Sequence, residues 1–320
     1  MFRNMEYIYS VYKMGSFSDA AKSLYITQPC LSAMVKKTEQ QLGVQIFDRK
    51  SKPLQLTEYG VKYIEYLEKI RELEQEFENY MYDVRGLRTG HLSIGANNVF
   101  SSFVIPRLIS GFNRIYPQVQ VKMSEGNIRY LEQALAQGTL DIVIDNCPMD
   151  TEFFLQHQLA TEYLLVAVPK SIHDAKGLKE SCMSHEDIIA GRHLIETAPA
   201  LDAETFADVP FIALHHGNDT RIRMDRICEK AGFSPKIKME TDQLATAYNI
   251  TCNGLGLTLV SDTLLNKLPP AADICYYKLR SDQTNRGVYL YHKRARYVTK
   301  AMNAFIDNAI AALANGISSL

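Results

Sequence analysis

Residues 15–37, GSFSDAAKSLYITQPCLSAMVKK, constrain this chain more than any other stretch. Ser16 and Asp19 have the Ser-x-x-acid spacing of a capping box, which predicts a helix beginning near Phe17. Ala20, Ala21 and Leu24 form its apolar stripe, and the alanines let a second helix approach closely. The chain turns at Tyr25-Ile26. Thr27 is a good N-cap, and Pro29 suits a first helical turn because its missing N–H is spare there. With Gly43 as a C-terminal stop, the second helix is expected from about Gln28 to Leu42. Leu31, Val35 and Leu42 fall on one side of it, and Gln28, Ser32, Ala33, Lys36 and Lys37 lie away from that side. Two short helices with a small, polar and basic outer face describe a helix-turn-helix, whose second helix enters the DNA major groove. Taken alone, the stretch equally fits two packed surface helices of an all-α domain.

The residues after Gly43 separate the two readings. In residues 44–60, VQIFDRKSKPLQLTEYG, Ile46-Phe47 and Leu54-x-Leu56 read as short strands with residues 49–53 as the tip. This is a wing, a basic β-ribbon suited to the minor groove or to phosphates. The formal net charge of −1 over 320 residues says nothing about nucleic acid, but its distribution does. Before Glu58 the bases are Arg3, Lys13, Lys22, Lys36, Lys37, Arg49, Lys50 and Lys52, against Glu6, Asp19, Glu39 and Asp48. Screening confines charge to roughly 8–10 Å, so the local excess is what a phosphate meets.

From residue 58 to about 88 the pattern is one helix of ~30 residues, ~45 Å long at 1.5 Å per residue. Ile70, Leu73, Phe77, Tyr80, Val84 and Leu87 alternate spacings of three and four, a heptad seam flanked by Glu72, Glu74, Glu76, Glu78 and Arg85. A partner helix is expected; the alternative is an amphipathic helix lying on its own C-terminal domain. Before it, residues 5–14 carry Ile8, Val11 and Tyr12 at helical spacing, ended by Gly15.

Beyond residues 86–90 strands alternate with helices, the pattern of a parallel sheet with crossovers. Strands are expected at 91–96, 119–123, 142–144, 163–168, 211–214, 236–239, 257–260, 274–278 and 288–292. Helices are expected around Phe103 to Ile115, at 131–135, 221–231, 243–252 and 300–314.

The N-terminal residues resemble the LysR-type transcriptional regulators. The residues that carry the likeness are Gly15-Ser16-Phe17, Ala20-Ala21, Leu24, Gln28-Pro29, Ser32, Leu42-Gly43, Ile46-Phe47, Arg49, Leu56-Thr57 and Gly60. Tyr116-Pro117, residues 138–141, Pro210-Phe211-Ile212 and residues 254–256 continue it more loosely. The resemblance implies an α/β protein in three parts: a winged helix-turn-helix (1–60), a dimerisation helix (61–89) and an effector domain of periplasmic-binding-protein type (90–320). Its lobe one would span about 90–162 and 265–320, and lobe two about 163–264. Ala33 and Met34 depart from the longer polar residues usual there, and residues 170–200 are longer than the family pattern, so His173, His185 and His193 cannot be placed.

The candidate DNA contacts are Ser16, Phe17, Ser18, Gln28, Pro29, Ser32, Ala33, Lys36, Arg49 and Lys52. Gln28 and Ser32 would read base edges, Pro29 and Ala33 thymine methyls, and Lys36, Arg49 and Lys52 phosphates or the minor groove. A dimer implies an operator with a partial inverted repeat. Asn97, Asn98, Ser101, Gly126, Asn127, His215, Asn218, Thr220 and Thr241 follow strands and open helices; they are either effector contacts in an interlobe cleft or simple N-caps. The effector expected is small and polar or carboxylated.

No cofactor or metal is expected. His215-His216, read as strand residues, point oppositely and no other ligand completes a site. Cys30, Cys147, Cys182, Cys228, Cys252 and Cys275 are scattered without a C-x-x-C, so structural thiols in a reducing cytosol are expected. The start MFRNMEYIYS lacks a signal-peptide core, and no apolar run reaches the ~18–20 residues of a membrane span. No phosphate loop, G-x-S-x-G or H-E-x-x-H is present. The competing reading is an α/β enzyme or solute-binding module with an accessory DNA-binding arm.

Overall fold

The computed structural model describes residues 4–84, 90–178 and 181–314. They fall into two compact units, residues 1–78 and 79–320.

The first unit contains α1 (Met5–Met14), α2 (Phe17–Ser23), α3 (Gln28–Leu42), β1 (Phe47–Asp48), β2 (Gln55–Leu56) and the larger part of α4 (Glu58–Val84). Gly15 and Gly43 take left-handed φ of 61° and 72° and end α1 and α3. The Ser16 hydroxyl accepts from the Asp19 N–H at 3.3 Å, but the Asp19 carboxylate pairs with Lys22 at 3.4 Å, so only half the expected capping box forms. Thr27 has N-cap backbone geometry without a capping side-chain bond. Ile8, Val11, Ala20, Ala21, Leu31, Val35, Ile46 and Phe47 make the core, completed by Tyr63, Ile64 and Leu67 of α4. The N-terminal unit therefore runs past residue 60. Gly60 shows why Leu-Thr-x-x-Gly is spaced as it is. Thr57 Oγ1 donates to the Gln45 carbonyl at 2.6 Å and accepts from the Gly60 N–H at 3.0 Å, and a Cβ on Gly60 would lie 2.0 Å from the Ile46 carbonyl oxygen. On α4, Leu73 and Phe77 are 65 % and 64 % exposed. Tyr80 also stands out, with its ring edge against Tyr297 at 5.8 Å. Leu87 of the expected seam lies outside the described residues.

The second unit opens with β3 (Gly90–Ala96), α5 (Asn98–Phe103), α6 (Ile105–Ile115), β4 (Val119–Glu125), α7 (Ile128–Ala136) and β5 (Ile142–Asp145). It continues with β6 (Phe154–Pro169), α8 (Lys170–Lys176), α9 (His185–Ile189), β7 (Ala200–Leu201), β8 (Pro210–Leu214), α10 (Asp219–Lys230), β9 (Lys236–Thr241) and α11 (Leu244–Cys252). It closes with β10 (Thr258–Ser261), α12 (Asp262–Leu265), β11 (Ile274–Leu279), β12 (Asn285–Lys293) and α13 (Lys300–Leu313). The main sheet has the order β4-β3-β5-β12-β6-β11-β7, with β10 also on β6, while β8 and β9 pair separately. β3 is parallel to β4 and β5; β12 is antiparallel to β5 and β6.

β6 is the organising strand. Residues 154–163 pair with β12, and residues 164–169 pair with β10 and β11. Its first half reads as loop from sequence, because FLQHQLATE has no aliphatic run; its burial alternates, as befits a strand with one wet face. One core packs α6 and α13 against β3, β5 and β12 through Leu108, Phe112, Ile144, Leu290 and Phe305. Two more form around the second half of β6, and they include Leu264, Leu265, Ile274 and Tyr276. The chain thus returns to lobe one between β11 and β12, later than the residue 265 expected from sequence. The single helix expected over Phe103 to Ile115 breaks at Val104, and α6 starts at Ile105 with Pro106 in its first turn.

Residues 170–178 and 181–200 fold against lobe two. His173 is buried and bonded to the Tyr277 hydroxyl, His193 Nε2 sits 3.2 Å from Asp262, and His185 lies against the Tyr276 ring. Cys182 and Cys275 form a disulfide with Cα atoms 5.3 Å apart, a correction to the expectation of unpaired thiols. A separation of 93 residues gave no local signal for it. His173 is close to both sulfurs, but sulfurs bonded to each other offer no thiolate to a metal. Among the described residues no helix is long and apolar enough to cross a membrane.

Candidate functional site

In the first unit, α3 buries Leu31, Val35, Thr38 and Glu39 and exposes Gln28, Pro29, Ala33, Lys36 and Lys37. Ser18 on α2 is exposed too, as are Lys50 and Lys52 at the wing. Other expected contacts already have partners within the protein. Ser16 caps α2, and the half-buried Phe17 ring packs edge-on against Phe47 at 5.6 Å. Arg49 donates to Ser32 Oγ at 3.1 Å and to Glu39 at 3.0 Å, with its guanidinium 5.0 Å from the Phe17 ring centroid. Glu39 also accepts the Ile46 N–H at 2.9 Å and the Phe47 N–H at 3.3 Å. Glu39 therefore anchors the wing to α3, and Arg49, itself exposed, is tied to both Ser32 and Glu39. Glu39→Ala leaves two buried N–H groups without acceptors, and a loss of roughly 2–4 kcal/mol is expected. Urea unfolding of residues 1–78 within the full chain reads this; a change below about 1 kcal/mol would remove the anchoring role.

In the second unit a cleft of about 560 Å³ opens at the C-terminal ends of the strands, where open α/β sheets bind ligands. Lobe one contributes Asn97, Asn98, Gly126, Asn127, Arg129, Asp145, Asn146 and Cys147. Lobe two contributes His215, His216, Asn218, Asp219, Thr220 and Asp242, and Glu162 and Arg286 come from the strands that join the lobes. Of the expected effector residues, Ser101 and Thr241 stay out. Ser101 is buried and donates to the Ala96 carbonyl at 3.2 Å, because the second turn of α5 faces the sheet. Thr241 ends β9 with its carbonyl accepting from the His215 N–H at 3.1 Å.

The asparagines are both caps and lining. Asn97 Oδ1 accepts from Phe100 N–H, Asn127 Oδ1 from Tyr130 N–H and Asn218 Oδ1 from Thr220 N–H, at 3.2, 3.0 and 2.9 Å. The Asn97 amide then donates to Asp145 Oδ2 at 3.1 Å. β8 stops at Leu214, so His215 and His216 belong to a turn at Gly217 (φ 91°), not to a strand, and both face the cleft.

Sequence reasoning missed the charged floor. Arg286 Nε donates to Glu162 at 2.6 Å, and its Nη1 donates to Asp219 at 2.8 Å and to Thr220 Oγ1 at 3.0 Å. Burial opposes the Arg286 charge, but Glu162 and Asp219 outweigh it and hold the guanidinium firmly protonated. Burial likewise works against the Glu162 carboxylate, and Arg286 and Ser261 overcome it, so its pKa lies below the usual value. Asp145 has no such ion-pair partner among the described residues, and burial pushes it up to about 6. Burial and the charge of Asp145 raise the Cys147 thiol to about 12, which leaves it an inert lining group. Asp145 and Asn146 directly follow the apolar run 142–144, a strand-end signal that could have marked them. Glu162 and Arg286 read as surface charges until the fold brings them together.

The model of the LysR substrate binding domain matches residues 85–314, and that of the bacterial regulatory helix-turn-helix protein, lysR family, matches residues 2–61. The uncharacterized HTH-type transcriptional regulator YcgK of Bacillus subtilis (strain 168) is 30 % identical over 308 residues, spanning 95 % of this chain and 92 % of that one. A full-length OxyR from Pseudomonas aeruginosa superposes with a TM-score of 0.68 at 22 % identity, covering 97 % and 94 % of the two chains. Full-length CbnR complexed with its target DNA superposes with a TM-score of 0.64 at 18 % identity, covering 97 % and 98 %. At those identities the two structures establish the shared fold. The family models and the YcgK relative establish more: this chain belongs to the LysR family, a DNA-binding transcriptional regulator with a C-terminal effector-binding domain, and not an enzyme.

Proposed function

We propose that two copies of this chain pair through α4 and present two helix-turn-helix units to a partial inverted repeat in cytoplasmic duplex DNA. The carrying observation is the exposed face of α3, with Gln28, Pro29, Ala33 and Lys36 beside Lys50 and Lys52 of the wing. Gln28 reads a base edge, with Ser32 set beside it by Arg49, and Pro29 and Ala33 meet thymine methyls. Lys36 and Lys52 meet phosphates, and Ser18 sits near the backbone at the entrance of α2. The exposed Leu73 and Phe77 support pairing through α4 as a dimer, or a tetramer of two such pairs. A small polar effector in the cleft shifts the population between lobe arrangements, and operator bending or spacing changes with it.

Gln28→Ala is expected to lose roughly 1–3 kcal/mol of discrimination against a wrong base while keeping the wild-type salt slope. Lys52→Ala is expected to weaken binding to all sequences alike and to lower that slope by about one. Gel shifts at several salt concentrations separate the two, and equal slopes for wild type and Lys52→Ala would remove the phosphate role.

A further inference from the structure

The effector cleft holds more acid than base. Glu125, Asp145, Glu162, Asp219 and Asp242 line it, against Arg129, Arg286 and the imidazoles of His215 and His216. Arg286 is neutralised twice over, by Glu162 at 2.6 Å and Asp219 at 2.8 Å. Asp219 takes a second cation, Arg223, at 2.7 Å. Three of the helix N-termini at the cleft are already answered: Asn97, Asn127 and Asn218 cap α5, α7 and α10, and Asp219 occupies the first turn of α10; the start of α11 at Gln243 has no side-chain cap. Glu125 and Asp145 have no basic side chain within ion-pair distance among the described residues, and Asp242 has only His215, at 3.9 Å.

Asp145 decides the sign. It is buried at the end of β5; Oδ2 accepts from the Asn97 amide at 3.1 Å and Oδ1 from the Cys147 N–H at 2.8 Å, with the Asn146 N–H as a further backbone donor. A carboxylate oxygen has room for a second donor. Burial raises its pKa against the attraction of Arg286, a guanidinium already bonded to Glu162 and Asp219. A carboxylate ligand would add a like charge beside it, with the exposed Arg129 as the one lining guanidinium, among the described residues, not already paired to acid.

We propose that the effector of this cleft is a small organic cation bearing a protonated primary amine, held by Asp145 of lobe one and by the rim carboxylates Glu125 and Asp242. An ammonium offers three donors and a compact charge, which matches carboxylates presented from both lobes. The inference rests on the reading of the cleft as the effector site, and it revises the polar-or-carboxylated expectation toward a basic nitrogen.

The test uses the full-length chain, with thermal shift and calorimetry against putrescine, lysine and arginine on one side and succinate and benzoate on the other. At least one amine is expected to raise Tm with saturation, while the carboxylates leave it unchanged. Asp145→Asn is expected to abolish the response. Asp242→Asn, at an exposed rim position that the fold does not need, is expected to weaken the amine about tenfold, a loss of about 1.4 kcal/mol. Stabilisation by a carboxylate but by no amine, lost in the cleft-filling Asn98→Trp, would overturn the charge assignment and leave the cleft as effector site. Amine stabilisation equal in wild type and both Asn variants would put the cation elsewhere and overturn the proposal, as would no shift with any amine.

Discussion

Arg286→Met should be the most damaging single substitution in the effector domain, with an expected loss of about 3–5 kcal/mol. Arg286 is 6 % exposed and its counter-ion Glu162 is 1 % exposed, so removing the guanidinium strands a carboxylate where water cannot reach it. The loss of the donors to Asp219 and Thr220 Oγ1 also frees the start of α10 from the strands that join the lobes. The pH dependence has a definite sign. In the wild type Glu162 is held below its ordinary pKa, so its contribution is present at neutral pH and is lost as pH falls through the folded-state value. Without Arg286 the hydrogen bonds from Ser261, Thr263 and Asn146 remain, but the one opposing charge is gone, so burial raises Glu162 and protonation relieves the variant. The destabilisation should therefore be larger at pH 7.5 than at pH 5. Adding Glu162→Gln to Arg286→Met should recover much of it, since a neutral amide is far less penalised by burial than an unpaired anion. Denaturant melts of the four proteins close the cycle; a single-variant cost under about 1 kcal/mol would mean the pair is not sealed from solvent.

The second large effect concerns α4. Leu73→Glu combined with Phe77→Glu should leave each protomer folded, because both side chains are mostly exposed within the single chain. In a heptad seam the same changes bury like charges against each other, and the pair should fall apart. Binding to a full inverted repeat is then expected to weaken by about 10²–10⁴, because the second head no longer enjoys an effective concentration near millimolar. Binding to one half-site should stay as it was. Sedimentation gives the mass and gel shifts give the affinities. A double variant that remains dimeric with wild-type operator affinity would exclude this face as the pairing surface.

The helix-turn-helix was legible because its signals are local. Ser16, the alanine pair, Pro29, and the glycines 15 and 43 each act within one turn of where they stand. The wing was legible in outline, but its anchor Glu39 was not, since ten residues separate it from Arg49 and an acid on a helix reads as surface. The same reason hid the cleft floor: Glu162 and Arg286 are 124 residues apart and meet only once β6 and β12 pair. Of the polar strand-end residues, Asn97, Asn98, Gly126, Asn127, His215, Asn218 and Thr220 reach the cleft because a chain leaving a parallel strand for a helix must expose its turn there. Ser101 is one helical turn too late and Thr241 one residue too early. Periodicity found the aliphatic half of β6 and overlooked the polar half, whose alternation is visible only against its partner strand.

Continuity of β6 also limits how this domain can respond. Sixteen residues run without a glycine, with proline only at the end, and the two lobes are laced to opposite ends of that one ribbon. A joint of this kind resists free swinging: every degree of rotation must be absorbed as torsion near Glu162 and Tyr163, where the ladder changes partners. On the proposed reading, in which a bound molecule shifts the lobes, they are mounted on a spring: the message is an angle held against elastic recoil, and letting go of the molecule restores the resting angle without further work.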